Sequence, residues 1–127
     1  MSVVLADACA LLAYLADEFA PMTAAGVAAM EAEAAVSPIT VWELTRKVAS
    51  GKLAPLPSAR GGFAGWLTMK GFQQLPLTWA DAERANALPP LHKDPTDRML
   101  IAQALNNSLA VVTQDRLFRD YGVATVW

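Results

Sequence analysis

The sequence is poor in the residues on which several common kinds of active site depend. Its 127 residues include one cysteine, Cys9, and one histidine, His92. A lone cysteine cannot form an internal disulfide, which agrees with a reducing cytoplasm, and the apolar surroundings of Cys9 predict a buried, inert thiol. A lone histidine argues against zinc sites built on histidines and against a Ser-His-Asp triad. We interpret His92, beside Pro90 and Lys93, as a loop residue.

The sequence also lacks long apolar runs and a phosphate-binding glycine loop. No apolar stretch approaches the length that crosses a bilayer, and no basic region precedes an apolar segment at the N-terminus. We therefore expect neither membrane insertion nor secretion by a signal peptide, and we predict a cytoplasmic location. Gly61 and Gly62 do not follow a strand, as the glycines of a phosphate-cradling loop would.

Positive charge is not in excess either. Lysine and arginine number 10 against 12 aspartates and glutamates, for a net charge of −2. Proteins that hold nucleic acid by charge alone have a strongly basic balance, so that class is disfavoured. Nucleic acid itself is not excluded, because a bound metal ion restores the positive charge that a carboxylate cluster removes.

Apolar residues are abundant, at 54% of the chain. The length suits one domain over residues 1–127, and the surplus predicts apolar surface reserved for partners. We expect one patch to pair with a second copy and another to hold a partner's amphipathic segment. Alternatively, these side chains fill the chain's own core. The patches are Phe63, Trp66 and Met69 on a glycine-weakened helix, and Leu12, Tyr14, Leu15 and Phe19 on the first helices.

Short apolar strands alternate with helices along the chain. Strands are predicted at residues 2–6, 35–37, within 72–77, 109–113 and 123–126, and helices at 8–16, 21–34, 40–49, 59–70, 79–88, 95–105 and 116–121. This alternation predicts an α/β fold in which helices cover both faces of a mostly parallel sheet.

Acidic residues occur where these elements end or begin. Asp7 directly follows the first strand, and Glu43 lies near the start of the helix after the second. Asp97 lies in the first helical turn after Asp94, and Asp115 follows the fourth strand. Sites in parallel sheets form beyond the carboxyl ends of the strands, so four carboxylates could converge there. Taken alone, Asp94 and Asp97 are more simply explained as a helix cap and a dipole partner.

Four converging carboxylates would repel one another strongly. A hard divalent cation such as Mg²⁺ or Mn²⁺ removes this conflict, because such ions prefer oxygen ligands. A carboxylate cage around a hydrated ion is suited to phosphodiester hydrolysis, in which the ion activates water and stabilises the leaving oxygen.

Four stretches of the sequence, in order, resemble the motifs of PIN-domain ribonucleases. They are residues 4–12 (VLADACALL), 37–44 (SPITVWEL), 92–104 (HKDPTDRMLIAQA) and 111–115 (VVTQD). With the ending at Trp127, the set is similar to VapC toxins of bacterial type II toxin–antitoxin systems. Each stretch alone is a modest signal, but the four in order are specific and span nearly the whole chain.

The resemblance implies a three-layer α/β/α PIN-like domain and a Mg²⁺- or Mn²⁺-dependent endoribonuclease. It also implies an RNA substrate, inhibition by a VapB-like antitoxin and a homodimer. Four acids are implied as catalytic and metal-binding residues, with a hydroxyl and a further carboxylate in support. These are Asp7, Glu43, Asp97 and Asp115, supported by Thr113 and Asp94.

Basic side chains near these motifs are candidates to hold the phosphate backbone of RNA. They are Lys47, Lys52, Lys93, Arg98, Arg116 and Arg119. The simpler interpretation is that most are ordinary surface charges, and that Arg98 pairs with an acid to hold the site together.

The sequence departs from the family pattern at two positions. Ala8 stands where the family usually has serine or threonine, and Thr96 stands where it usually has phenylalanine. The intact acid set favours a ribonuclease toxin. Ala8 favours the alternative, a catalytically weak or inactive PIN-like domain that serves as a metal-stabilised binding module. A nuclease for structured DNA is a third alternative.

Overall fold

A computed structural model describes residues 3–16 and 22–127 of the chain. Within them, the elements in order are β1 (Val4–Ala6), α1 (Ala8–Ala16), α2 (Ala24–Ala32), β2 (Ala34–Val36), α3 (Pro38–Ala49), α4 (Gly62–Met69), β3 (Gln73–Gln74), α5 (Trp79–Ala87), α6 (Pro95–Asn107), β4 (Ala110–Val112), α7 (Leu117–Asp120) and β5 (Thr125–Val126). No helix of the described part is both long enough and apolar enough to span a bilayer. Ser2, Phe19 and Pro21, which begin or belong to predicted features, lie outside the described residues.

The five strands form one sheet in the order β3-β2-β1-β4-β5. Every neighbouring pair runs parallel, and in the centre Leu5 of β1 is paired with Ala35 of β2 and with Val111 of β4. The prediction of a mostly parallel sheet is confirmed. Parallel neighbours require crossover connections, and the helices supply them.

Alternate strand residues point to opposite faces of the sheet and divide the core into two layers. Ala6 and Val112 face a cluster that includes Leu11 of α1, Leu44 of α3 and Leu67 of α4. Leu5 and Val111 face the other cluster, with members from α6 and α7: Leu100, Ile101, Ala104 and Phe118. The three-layer α/β/α prediction is thereby confirmed. Strands buried on both faces explain the short, continuous apolar runs of the sequence.

Helix starts follow local chemistry closely. The carboxylate of Asp94 accepts from the Thr96 and Asp97 N–H groups, and Pro95 occupies the first turn of α6, as predicted. Thr78 and Asp81 form the capping box predicted at the start of α5. α3 begins earlier than residue 40, because Ser37 caps it and a proline fits the first turn of a helix.

Two other predicted elements are shorter than expected. The strand within 72–77 is reduced to β3, whose two glutamines are exposed and whose extension is stopped by Pro76, which has no N–H to donate. The 59–70 helix starts only at Gly62, because Gly61 adopts φ 92°. A Cβ at Gly65 would lie 2.0 Å from the Arg60 carbonyl oxygen, so glycine is required for that close approach.

The predicted apolar patch on α4 is largely part of the chain's own core, which corrects that prediction. Phe63 is buried, and Trp66 stacks on it with ring centroids 6.3 Å apart. Met69 remains 63% exposed. Of the patch on the first helices, Leu12 and Leu15 pack against the same core, and Tyr14 packs edge-on against Phe72. An apolar groove nearby is lined by Val36, Pro38, Val41, Ala64, Leu67, Thr68, Phe72, Gln73 and Gln74.

Candidate functional site

Acidic residues lie beyond the carboxyl ends of the three central strands. β1 leads directly into Asp7, and its neighbour β4 leads into Thr113 and Asp115. β2, on the other side of β1, leads into α3, which carries Glu43. α6 packs against α3 and carries Asp97 in its first turn. Because the strands are parallel, their acidic connections emerge at the same edge of the sheet.

Asp7 is buried at this edge, with 6% of its surface exposed. One carboxylate oxygen accepts the Ala10 N–H at 2.7 Å, as a cap of the first turn of α1. Burial raises the pKa of Asp7 to about 6, against hydrogen bonds from Thr113 and Ala10 that lower it, and the charges of Glu43 and Asp115 raise it further. The fold therefore places the Asp7 carboxyl in an environment that disfavours its ionised form.

Asp97 shares the same electrostatic conflict. Burial raises its pKa to about 7; the charge of Asp94 adds to this, His92 opposes it, and Asp7 and Glu43 contribute smaller increases. Asp7 and Asp97 both interact with the charge of Glu43, so three of the four predicted acids are close enough to influence one another's ionisation.

Asp94 lies at the margin of this cluster as a helix cap. Its Oδ1 accepts from the Thr96 N–H at 2.9 Å and from the Thr96 hydroxyl at 2.6 Å. Burial alone would raise the pKa of Asp94, but these hydrogen bonds lower it below its usual value. Asp94 thus fixes the turn that carries Asp97, and Thr96, at a position where the family usually has phenylalanine, completes the cap.

Thr113 links two of the acids. Its hydroxyl oxygen accepts the Asp115 N–H at 3.0 Å, and the same side chain lowers the pKa of Asp7. Asp115 in turn accepts the Leu117 N–H at 2.9 Å, so it begins α7 as well as facing the site. One side chain therefore interacts with the acids that follow both β1 and β4.

His92 lies in a loop, as predicted, but its ring reaches the acidic cluster, which the sequence interpretation missed. Its Nε2 lies 2.6 Å from Asp115 Oδ2 and 3.2 Å from Asp97 Oδ2. One atom from each of these three residues falls within 4.8 Å of the other two. The only available sequence signal was a lone histidine five residues before Asp97, and it does not indicate where the ring points.

Cys9 corrects a second expectation, because its thiol is exposed rather than buried. Cys9 lies in the first turn of α1, close enough to the acidic cluster for the charges of that cluster to affect the ionisation of the thiol. Partial burial raises the pKa of Cys9, and the charges of Asp7 and Asp97 raise it further, so the reactive thiolate form is disfavoured.

The predicted RNA-binding cations fall into two groups. Arg98 donates to main-chain carbonyl oxygens rather than to an acid, and Lys47 Nζ lies 3.5 Å from Glu43 Oε1. Arg119 donates to the Thr125 hydroxyl. The remaining three, all exposed, are Lys52, Lys93 and Arg116.

The donor set at this edge fits a divalent cation. Its oxygen donors are of the type that Mg²⁺ and Mn²⁺ prefer. The raised pKa values of Asp7 and Asp97 show that burial and like charge oppose their ionisation, and a bound cation would favour the ionised forms. Asp97 and Asp115 already hold oxygens close to each other.

A family model for the PIN domain matches residues 4–124. The chain belongs to the PIN domain family. This PIN domain is similar in fold to FitAcB from Neisseria gonorrhoeae, at 20% identity and TM-score 0.65, over 98% of this chain and 96% of that chain. VapBC2 from Rickettsia felis, bound to a promoter DNA fragment, matches at 10% identity and TM-score 0.67, over 96% of each chain.

A toxin–antitoxin complex from Klebsiella pneumoniae matches at 19% identity and TM-score 0.59, over 88% of this chain and 86% of that chain. No curated protein matches the sequence. At these identities the solved structures establish the fold, and the predicted resemblance to PIN domains is confirmed.

The raised pKa values predict how the stability of this PIN domain depends on pH without metal. Protonated Asp7 and Asp97 are favoured by folding, so their stabilising contribution is full below pH about 3.8 and is lost as pH rises through about 6 and 7. D97N should therefore raise the melting temperature in EDTA by a few degrees above pH about 7, and less at lower pH. Thermal unfolding between pH 4 and 8 measures this.

The exposed Glu83 provides the matched control, because E83Q removes a charge from α5 without relieving the cluster. Adding Mg²⁺ at pH 8 should raise the melting temperature of the wild type more than that of D97N. A D97N gain that is the same at every pH would contradict the electrostatic explanation.

Proposed function

We propose that this PIN domain is a Mg²⁺- or Mn²⁺-dependent endoribonuclease of the VapC toxin type, which hydrolyses phosphodiester bonds of RNA. The observation that carries the proposal is the partly buried acidic cluster, in which Asp7 and Asp97 interact with the charge of Glu43 and Asp97 lies beside Asp115. Perturbed carboxyl groups brought together from separate elements are typical of sites that serve chemistry rather than stability. The similarity to toxin–antitoxin complexes supports the toxin type.

In this proposal four acids hold the ion and act in catalysis: Asp7, Glu43, Asp97 and Asp115. A divalent ion there would supply Lewis-acid activation of water and phosphate. Thr113 fixes the turn that carries Asp115 and lowers the pKa of Asp7, and Asp94 fixes the turn that carries Asp97. Lys47 lies against Glu43 and balances its charge.

Ala8 supports a second candidate function. It follows Asp7 directly and has no hydroxyl with which to orient an ion or a phosphate, although it lies at the start of α1 beside the cluster. A PIN domain with weakened positioning would still bind a cation and could act as a metal-stabilised binding module. Rates of RNA cleavage distinguish this module from the nuclease.

We further propose a VapB-like antitoxin and a second copy of the chain as partners, with no role for a membrane. The groove between α3, α4 and β3 has the apolar lining that the amphipathic segment of an antitoxin requires, for example Val41, Leu67 and Phe72. Ala64 and the exposed Met69 lie on the same helix, α4. The similar solved structures that contain an antitoxin support this choice of partner.

The first prediction concerns the acids. D7N and D97N keep the shape of the side chains but remove charge that holds the ion, so each should lower RNA cleavage by roughly 100-fold or more, since even supporting residues of a metal site are worth about 10- to 100-fold. Cleavage of single-stranded RNA in Mg²⁺ or Mn²⁺ measures this. D120N, on the exposed end of α7, is the control. Cleavage by D7N at the wild-type rate would refute the mechanism.

The second prediction concerns the three exposed cations. If Lys52, Lys93 and Arg116 contact phosphate, replacing all three with alanine should weaken RNA binding and flatten its dependence on log salt by about 0.7 per lost contact. Binding isotherms at several salt concentrations, with D97N to prevent cleavage, provide the measurement. Arg60, exposed in the turn before α4, serves as the control. An unchanged slope would show that RNA lies elsewhere.

The third prediction concerns the antitoxin. A64E puts a charge on the rim of the groove and should weaken retention of a co-expressed VapB-like antitoxin by at least tenfold, because burying an unpaired charge is costly. A82E makes the same change on the exposed face of α5 and should have no effect. Pull-down from co-expressing cells compares the two. Equal retention would rule out this groove.

A further inference from the structure

The loop that precedes α6 is held in place from two sides. Arg98 donates from Nη2 to the carbonyl oxygens of Ala85 and Leu88, at 2.8 and 2.9 Å. From Nη1 it donates to the carbonyl oxygens of Pro89 and His92, at 3.0 and 3.1 Å. An arginine that gives its donors to main-chain carbonyls acts as a structural clamp, since the guanidinium can neither rotate freely nor lose its charge.

Tyr121 anchors the same loop from the turn after α7. Its hydroxyl accepts the N–H groups of Leu91 and His92, at 3.0 and 2.8 Å, and donates to the Pro89 carbonyl oxygen at 2.6 Å. The His92 backbone is thereby bound through both its N–H and its carbonyl group. Phe118 packs edge-on against the imidazole, with centroids 6.2 Å apart, which limits rotation of the ring.

The hydrogen bonds of the imidazole identify its tautomer. The Asp94 N–H donates to Nδ1 at 3.1 Å, so Nδ1 presents a lone pair and the proton lies on Nε2. Nε2–H then donates to Asp115 Oδ2 at 2.6 Å, and Asp97 Oδ2 lies 3.2 Å from the same nitrogen. A nitrogen that carries a proton has no lone pair for a metal, although the geometric cluster of His92, Asp97 and Asp115 resembles a ligand set.

We propose that His92 is a positioning residue of the acidic site: its Nε2–H holds Asp115 after β4 beside Asp97 on α6 and leaves the remaining lone pairs of both carboxylates for the ion. This role rests on the metal site of the proposed function. Each carboxylate oxygen has more than one lone pair, so a hydrogen bond to His92 does not prevent metal binding. The clamp of Arg98 and Tyr121 aims the ring.

Nitrogen NMR of the imidazole tests the tautomer directly. His92 is the only histidine of the chain, so an untagged, ¹⁵N-labelled protein gives one unambiguous pair of ring signals. At alkaline pH in EDTA we expect the Nε2-protonated neutral tautomer, and we expect it to persist when Mg²⁺ is added. A ring protonated on Nδ1, or an Nε2 signal displaced by direct coordination, would overturn the proposal.

Metal affinity separates positioning from ligation. H92L removes the donor at similar bulk, and H92Q places an amide N–H near the same point. In calorimetric titrations, H92L should lower the affinity for Mg²⁺ and for Ni²⁺ by a similar factor, on the order of tenfold, as for other supporting residues of metal sites. H92Q should recover most of the loss. A loss confined to Ni²⁺, which favours imidazole ligands, would instead identify His92 as a ligand.

Y121F covers the case in which H92L fails to fold. It leaves every side chain of the acidic cluster intact and removes only the hydroxyl that anchors the loop. Y121F should therefore lower the affinity for both ions, but by a smaller factor than H92L. If the wild-type protein binds both ions but does not cleave RNA, the proposed ribonuclease activity is refuted and the positioning role of His92 is not. Ion binding that H92L and Y121F leave unchanged would refute the positioning role alone.

Discussion

Repulsion between carboxylates that the fold itself brings together is the constraint on which the rest of this structure depends. Parallel strands must all end at the same edge, so the residues that follow β1 and β4 are forced to meet there. Burial deepens the conflict and raises the pKa values of Asp7 and Asp97. The neighbouring groups are arranged accordingly: Thr113 and the Ala10 N–H offset part of the cost at Asp7, and Lys47 lies against Glu43.

Local chemistry explains what the sequence predicted well. The Asp94 cap, Pro95 in the first turn and the Thr78–Asp81 box each depend on residues within one helical turn, so the sequence contains all of the interacting groups. The parallel sheet followed from alternating elements. The strand order, with β2 and β4 on either side of β1, is what brings the acid-bearing connections together, and no local pattern specifies it.

Long-range contacts explain what the sequence did not reveal. Arg98 has no acidic partner among the residues that the structure describes. Its main-chain acceptors are the carbonyl oxygens of Ala85, Leu88, Pro89 and His92, which become neighbours only when the end of α5 docks on α6. The direction of the His92 ring follows from that docking. Neither the acceptors of Arg98 nor the direction of this ring could therefore be predicted from the spacing of residues in the sequence. In the segment 59–70, three glycines suggested a helix too weak to join the core, whereas Gly65 in fact allows the chain to approach the Arg60 carbonyl oxygen.

The short polar strand β3 has a consequence for how the molecule meets other chains. It ends the sheet with only Gln73 and Gln74, both exposed, and Pro76 follows two residues later without a donor. Exposed sheet edges tend to recruit further strands, which leads to uncontrolled aggregation, and brevity and proline both discourage this. The opposite edge, β5, is equally brief. Binding by extension of the sheet is therefore disfavoured, and recognition of this fold must depend on side chains displayed by its helices and grooves.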